Sequence, residues 1–348
     1  MRQTDKYILL GIGHGINDCV AGYLIGSLFY HGYAPLQLGI YTLLYNLIAF
    51  GGQLVFAKVL ESFFVPKKYM AASFLLLAAA LVLLRAVPEL SILCAGIASA
   101  MIHVTGGMEA LREDGKSFGI GIFASPGVIG LVAGGFLAYL HINFILTGLV
   151  LCVAYFVLLL FLYKPAPNYL KSNTQDPAIE GHDIIMVILI TVISLRSFIW
   201  DVIQLVEQKN YSWLITIALA AMCGKLAGGL LADKLGHSRF SIYALLASIP
   251  FLTVFKKHLI ALSLGVFLLQ STIPATTVMI FQAIRRKPAL AIALSFGLSV
   301  FIAITLFYTP IINYVTNPTV IFLSLTLSIL LLLTYHSRLC KTNVLPHR

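Results

Sequence analysis

Two ionisable residues and an amide stand in the first apolar stretch of the chain. His14, Asn17 and Asp18 fall within residues 9–26, among apolar and small neighbours. On an α-helix His14 and Asp18 are four residues apart, so they share one face, with Asn17 beside them. A histidine beside a carboxylate can exchange a proton near neutral pH. The spacing favours proton chemistry, and the alternative is a hydrogen bond that ties this helix to a neighbour.

A second histidine and an arginine occupy other apolar stretches. We predict His103 at a depth similar to that of His14 and Asp18, which makes it either a third proton-binding group or a hydrogen-bonding strut. Arg196 does not readily lose its proton and needs an anion nearby. That anion is either an acidic residue on another helix or an acidic group on a substrate.

Other polar residues near Arg196 are candidate substrate contacts. Trp200 shares the Arg196 face and could stack on a ligand or belong to an interfacial belt. Asp201 points about 140° away from Arg196 on a helix and is an awkward partner for it. Gln270 lies on a mildly polar face of a later stretch, where interhelical hydrogen bonding is the alternative. The predicted substrate contacts are Arg196, Asn17, Trp200, Gln270 and Asp201.

Composition assigns the chain to membrane proteins. Hydrophobic residues make up 59% and charged residues 10%, whereas charged residues are about 25% of a typical soluble domain. The basic start followed by an apolar run resembles a signal peptide, but no small-residue cleavage site follows and Asp18 interrupts the run, so we predict a retained first helix. Five scattered cysteines lack metal or redox spacing, which predicts free thiols and no metal site.

The apolar stretches predict an all-α membrane protein of twelve transmembrane helices. Spans of about 20 residues suffice to cross a bilayer. A polar segment, 164–183, is predicted to link an N-terminal six-helix bundle (1–163) to a C-terminal bundle with a short tail (184–348). The predicted spans are 7–30, 36–60, 68–86, 89–111, 117–140, 143–163, 184–206, 211–232, 239–255, 258–283, 289–313 and 317–336.

Basic residues are unevenly distributed between the turns. Turns on the side of the N-terminus carry most of the lysines and arginines, and the opposite turns carry only Arg85, Lys209, Lys256 and Lys257. By the positive-inside rule both termini are cytoplasmic. The net charge of +10 is therefore a topology signal and predicts no nucleic-acid partner. We expect a monomer in a cell membrane, as a bacterial inner-membrane protein in contact with lipid.

The two halves repeat. A shift of 172 residues along the chain aligns Gly52-Gln53-Leu54 with Gly224-Lys225-Leu226 and Glu61 with Asp233. We call it the repeat shift. It is close to half the chain length and covers six spans, so the halves enter the membrane in the same direction. Parallel halves place a substrate site between them near mid-depth. Chance similarity among leucine-rich helices is the alternative, but the matching polar loop positions oppose it.

The segment from Gly228 to Arg239 resembles the loop signature of the major facilitator superfamily. The resemblance implies twelve helices in two bundles and a cytoplasmic latch between them. Asp233 would sit at a helix end, Gly236 in the tight turn and Arg239 at the start of the next helix. In the first half Glu61 is the counterpart of Asp233, and Phe64 stands where the turn glycine belongs. Gating roles are predicted for Asp233, Gly236, Arg239, Glu61, Arg112 and Pro126.

Two further motifs resemble exporters of this superfamily. The glycine-rich run around Pro126 is similar to their glycine-proline motif: a proline bends a spanning helix and small residues let a neighbour approach, although tight packing alone would also explain it. His14-Gly-Ile-Asn17-Asp18 and Met101-Ile-His103 resemble the fosmidomycin-resistance type of exporter. This resemblance implies proton-coupled export of a small organic molecule.

The sequence therefore predicts a secondary transporter that works by alternating access and needs no cofactor. It holds no nucleophile elbow, His-Glu-x-x-His motif or P-loop, so we expect no enzyme. Asp18, modulated by His14 and His103, would bind a proton and change the relative stability of the two access states. Arg196 would hold an acidic group on the cargo. Export by proton antiport is the first prediction, and the alternatives are uptake by symport and a non-transporting assembly factor or receptor on a transporter fold.

Overall fold

The computed structural model describes residues 2–30, 32–112, 115–165, 182–207, 210–284, 287–308 and 317–342. Within these ranges the chain forms twelve successive helical segments without strands. They are α1 (Gln3–Tyr30), α2 (Pro35–Phe63), α3 (Pro66–Leu83), α4 (Pro88–Arg112), α5 (Ser117–Tyr139), α6 (Ile145–Leu162), α7 (His182–Glu207), α8 (Tyr211–Leu235), α9 (His237–Thr253), α10 (Leu259–Ala283), α11 (Pro288–Thr305) and α12 (Pro318–Thr342).

The helices confirm a multi-pass, all-α membrane protein. Within the described ranges, eleven helices are long and apolar enough to cross a bilayer. α9 has 17 residues, the lower end of the length a span requires. Residues 166–181 of the predicted linker lie outside the described residues, and α7 begins at His182, inside the predicted linker. Because twelve is an even number, α1 begins and α12 ends on the same face, which we call the terminal side.

Two helices contain π-helical turns where the halves meet. One turn covers Leu47–Gly51 in α2 and the other covers Ala293–Leu298 in α11. A π-turn inserts an extra residue into the helical ladder and often marks a functional position. The two turns contact each other, and a Cβ on Gly297 would lie 2.8 Å from the Phe50 carbonyl oxygen. The irregular turns therefore let α2 and α11 approach closely across the molecule.

Glycines bring α1 and α5 into backbone contact. A Cβ on Gly134 would lie 1.9 Å from the Cys19 carbonyl oxygen, and one on Gly130 would lie 2.1 Å from that of Gly15. Only glycine permits these approaches, as in other close helix contacts within membranes. The contact fixes α1, and with it the polar residues of its central turns, against α5.

The two six-helix halves meet through two sets of helices. α5 packs on α8, where a Cβ on Gly229 would lie 2.9 Å from the Ser117 carbonyl oxygen. On the other flank α2 and α4 pack on α11, and a Cβ on Gly107 would lie 2.9 Å from the Ile292 side chain. The interface is thus close-packed on both flanks, and it leaves a space along its centre.

Substituting one of two adjacent glycines tests the α1–α5 contact. Gly134→Ala should overpack the contact, by about 1–3 kcal/mol, and lower the thermal unfolding temperature of the purified protein by several degrees. Gly135→Ala is the control, because a Cβ there meets nothing within 4 Å. Equal unfolding temperatures for both variants would contradict the packing described here.

Candidate functional site

A cavity of about 350 Å³ lies between the two halves. α1, α2, α4 and α5 line it from the first half, and α7, α8, α10 and α11 line it from the second. Its polar and ionisable lining residues include His14, Asp18, Tyr45, His103, Arg196, Trp200, Asp201, Lys225 and Gln270. Four of the predicted substrate contacts and all three predicted proton-coupling residues therefore reach one space.

The cavity wall brings two histidines and a carboxylate together, and we call His14, Asp18 and His103 the triad. The His14 Nε2 atom lies 3.1 Å from Asp18 Oδ2 and 3.0 Å from His103 Nε2. His103 Nε2 lies 4.0 Å from Asp18 Oδ1. Both imidazoles are buried, and Asp18 is partly open to the cavity.

The hydrogen-bond partners of the two Nδ1 atoms determine which ring nitrogens carry a hydrogen. His14 Nδ1 lies 2.9 Å from the Phe123 carbonyl oxygen, and His103 Nδ1 lies 2.7 Å from that of Ser99. A carbonyl oxygen can only accept, so both Nδ1 atoms carry a hydrogen. Two neutral rings would then direct lone pairs at each other across 3.0 Å. One proton on an Nε2 atom removes this conflict, so the geometry suits a triad that holds a single exchangeable proton.

Polar neighbours orient the triad from behind. Asn17 is fully buried and does not line the cavity; its Nδ2 donates to Asp18 Oδ1 at 2.7 Å and to Ser99 Oγ at 3.2 Å. Tyr45 also donates to Ser99 Oγ, at 3.2 Å. On the α5 side, a Cβ on Gly127 would lie 2.5 Å from His14 Nε2. Asn17 thus acts here on Asp18, and the glycine leaves room for the carboxylate and imidazole.

The opposite wall carries two basic residues, Arg196 and Lys225, and a second acid, Asp201. Arg196 is 3% exposed and donates from Nη1 to Thr276 Oγ1 at 2.9 Å. It forms no ion pair with the part of the chain that the structure describes. The Oδ2 atom of Asp201 is buried without a hydrogen-bond partner among those same residues. The predicted partner of Arg196 is either an acidic residue on another helix or an anionic ligand. No acid among the described residues forms an ion pair with it, so the anionic ligand stays a prediction.

The three triad groups could also suit a divalent metal ion. Their ligand atoms all lie within 4.8 Å of one another, and backbone carbonyls that accept from the distal ring nitrogens are common behind metal-bound histidines. However, Arg196 and Lys225 line the same cavity and would repel a dication. The charges in the cavity therefore favour a proton over a metal.

Comparison with solved structures identifies the architecture. The outward conformation of FucP, a transporter of the major facilitator superfamily, matches with a TM-score of 0.72 at 11% identity, over 97% of this chain and 98% of FucP. The proton:xylose symporter XylE matches at 0.69 and 13% identity, over 96% and 94% of the two chains. A bacterial homologue of the iron transporter ferroportin, in its outward-facing state, matches at 0.62 and 14%, over 98% and 99%.

The chain has the major facilitator fold. No protein-family model and no curated protein matches it. At these identities the structural neighbours establish the fold alone. The resemblance to the fosmidomycin-resistance type of exporter stays a prediction.

The loop signature of the fold forms a contact between the halves on the terminal side. The Asp233 carboxylate at the end of α8 accepts from the backbone N–H groups of Ser117, at 2.8 Å, and Phe118, at 3.0 Å. These two residues open α5, where helix N–H groups lack partners and the helix dipole favours an anion. Asp233 therefore caps a helix of the opposite half.

The first half makes the equivalent contact. Glu61 Oε1 accepts from the N–H of Leu290, in the first turn of α11, at 3.0 Å. The repeat shift carries Glu61 onto Asp233 and Phe118 onto Leu290, so the two caps are related by the repeat. Both contacts join the two halves on the terminal side.

The turns behind the caps are also equivalent. Gly236 has a φ of 87°, as a tight turn after α8 requires, and its repeat counterpart Phe64 has a φ of 37°. A bulky residue rarely adopts a positive φ. The Arg112 guanidinium lies 4.2 Å from the centre of the Phe64 ring, and Arg112 Nη1 lies 3.7 Å from Glu109 Oε1. Phe64 thus keeps the turn in spite of the missing glycine.

The remaining predicted gating residues have other surroundings. Arg239 is exposed near the start of α9 and makes no hydrogen bond or ion pair with the described residues. Pro126 lies inside α5, and a Cβ on Gly15 would lie 3.2 Å from its ring. The gating roles of these residues stay predictions.

Sequence reasoning missed one charged residue of the cavity. Lys225 lies well inside the predicted span 211–232, is 8% exposed, and donates from Nζ to the Ala124 carbonyl oxygen at 3.1 Å. In the sequence it stands out only as the repeat position that aligns with Gln53. The rule that singled out Asp18, an ionisable residue deep in a span, applies equally to Lys225.

Removing the helix caps should open the terminal side. Each carboxylate supplies charge-assisted bonds worth about 1.5–3 kcal/mol to the closed state. We expect Glu61→Ala and Asp233→Ala to lengthen the distance between spin labels on Lys68→Cys and Lys234→Cys, in a cysteine-free background. Arg239→Ala is the control and should leave the distance distribution unchanged. Unaltered distributions in both cap variants would show that these contacts do not hold the halves together.

Proposed function

We propose that this protein is a proton-coupled secondary transporter of a small organic anion. The observation that carries the proposal is the shared cavity, where the His14–Asp18–His103 triad faces Arg196 across the boundary between two pseudo-equivalent halves. Buried ionisable groups are costly in a membrane and are functional candidates by default. In parallel repeats of this kind, the substrate site lies between the halves near mid-depth.

The proposed mechanism uses the triad as the proton site. A proton that enters from the cavity occupies the space between the two Nε2 atoms, or moves to Asp18. Loading and release change the charge that the cavity buries, and this alters the relative stability of the open and closed states. Arg196, which donates to the neutral Thr276 hydroxyl in the state described, would exchange part of that contact for an acidic group on the cargo. Trp200 and Gln270 would contact the rest of the cargo.

Two coupling directions are compatible with this site. Export by antiport is suggested by the exporter-like motifs around His14 and Pro126. Uptake by symport is supported by the cavity charges, because a triad proton adds positive charge beside Arg196 and favours an anion. FucP and XylE are described as proton symporters of fucose and xylose. On the geometry, we place symport first and antiport second.

A non-transporting assembly factor or receptor is the remaining alternative. Such a protein would not need a titratable triad and cations facing one cavity. A cytoplasmic location of both termini is part of this proposal, and the basic turns on the terminal side support it. Ligand-dependent thermal stabilisation at two pH values separates the classes: a transporter responds to small molecules in a pH-dependent way, and an assembly factor responds only to its partner.

Substituting the triad carboxylate tests the proton site. Asp18→Asn keeps the shape and the contact with Asn17 but cannot ionise. We expect it to fold and to lose transport driven by a pH gradient, measured in proteoliposomes with a panel of labelled small acids, amides and amines. Asp5→Asn, at the exposed start of the same helix, is the control and should retain transport. Unimpaired gradient-driven flux in Asp18→Asn would remove the residue from the coupling role.

Substituting Arg196 tests the cargo contact. Arg196→Lys keeps the charge but loses the planar fork, and Arg196→Ala loses both. We expect binding of acidic compounds to weaken about tenfold or more in Arg196→Ala, corresponding to about 1.4 kcal/mol or more, with a smaller effect on neutral compounds. Isothermal titration in detergent measures both. Equal losses for acidic and neutral compounds would indicate that Arg196 only supports the structure.

A further inference from the structure

Lys225 links the two halves at the cavity wall. It belongs to α8 of the second half and donates to the Ala124 carbonyl oxygen of α5 in the first half. It lines the same cavity as Arg196 and Asp18. A lysine buried among membrane helices carries a large desolvation cost, so its charge needs an explanation.

The first half of the chain makes a repeat-related contact with which the Lys225 contact can be compared. The repeat shift carries Gln53 onto Lys225 and Ala124 onto Phe296. The Gln53 amide donates from Nε2 to the Phe296 carbonyl oxygen at 3.4 Å, across the boundary from α2 to α11. The repeat-related contact is thus made by a neutral side chain. Because an amide makes the equivalent contact, the contact alone does not account for the ammonium group at position 225.

The charges of the cavity indicate a role for this ammonium group. Arg196 and Lys225 carry two positive charges, and Asp18 and Asp201 together carry at most two negative ones. A proton shared by the two imidazoles adds one positive charge. The cavity then has a net positive charge of at least one when the triad is protonated. In a low-dielectric space such a charge attracts an anion strongly.

We propose that Lys225 contacts the cargo together with Arg196, and that the cargo carries a net negative charge and binds together with the triad proton. This inference rests on the proposed transport function and names its substrate class. The polar groups of Tyr45 and Gln270, which face the same space, add no charge to it. When the ammonium group turns toward the anion, its hydrogen bond to the Ala124 carbonyl oxygen is lost. Cargo binding therefore also weakens one contact between the halves. Proton and cargo then travel in the same direction.

Tryptophan fluorescence can report the cavity charge without an identified cargo. The chain has two tryptophans, so Trp213→Phe leaves only Trp200, which lines the cavity. Iodide, caesium and acrylamide quench this fluorescence as an anionic, a cationic and a neutral probe. We expect iodide to quench several-fold more strongly than caesium, each relative to its quenching of free tryptophan, and the difference to grow as the pH falls and the triad takes up a proton.

Substitutions at the repeat-related positions separate charge from structure. Lys225→Gln copies Gln53, so it should keep the contact with Ala124 and the unfolding temperature while iodide quenching falls about threefold or more. Lys225→Arg should restore that quenching. Gln53→Met removes the neutral contact and should leave quenching unchanged. If Lys225→Gln does not fold, the pH dependence of iodide quenching in the Trp213→Phe parent still tests the inference.

Several results would overturn the inference. They are equal quenching by iodide and caesium, iodide quenching that does not change in Lys225→Gln, a pH response of the opposite sign, and a Trp200 that no probe reaches. The outcome is independent of the transport assay. Anion-selective quenching without flux in proteoliposomes would retain Lys225 as an anion contact and reject the transport function.

Discussion

Two imidazole rings whose Nε2 atoms lie 3.0 Å apart beside a carboxylate are the constraint on which this molecule depends. Both distal ring nitrogens are held by backbone carbonyls, from α5 for His14 and from α4 for His103. The near nitrogens are therefore forced together beside Asp18. α1, α4 and α5 must hold their relative positions for this arrangement to persist. The glycine contacts between α1 and α5 supply that rigidity, and Gly127 leaves the space that the triad occupies. The packing of the first half thus fixes the geometry of the triad.

Much of this could be predicted from the sequence, because membranes restrict what a chain can do. Apolar stretches of spanning length determine the helices, and the i,i+4 spacing of His14 and Asp18 determines their contact. The direct contact between His14 and His103 could not be predicted. It depends on which face of α4 turns toward α1, and close contacts set that face: a Cβ on Gly106 would lie 2.5 Å from the Phe123 ring. Periodicity shows which residues share a face, but it does not show which helix that face meets.

The helix caps are a second case of contacts that the sequence did not predict. The repeat aligned Glu61 with Asp233, but it did not predict that each caps a helix of the opposite half. The resemblance predicted a glycine turn, and Phe64 makes that turn without a glycine. The stacked Arg112 guanidinium and the packing around the ring hold a conformation that the residue type alone disfavours. Tertiary contacts therefore hold a geometry for which the local sequence carries no signal.

The repeat makes function visible where its symmetry fails. Both caps between the halves and the turn behind each cap keep their geometry in the two repeats, so these positions share one structural role. Gln53 and Lys225 also keep one geometry but differ by a full charge. A structural requirement would act equally on both positions, because their partners are equivalent carbonyls. Only something that lies on one side of the boundary can distinguish them, and Lys225 faces the cavity that holds Asp18 and Arg196. The departure from symmetry is therefore what the proposed ligand contact of Lys225 would explain.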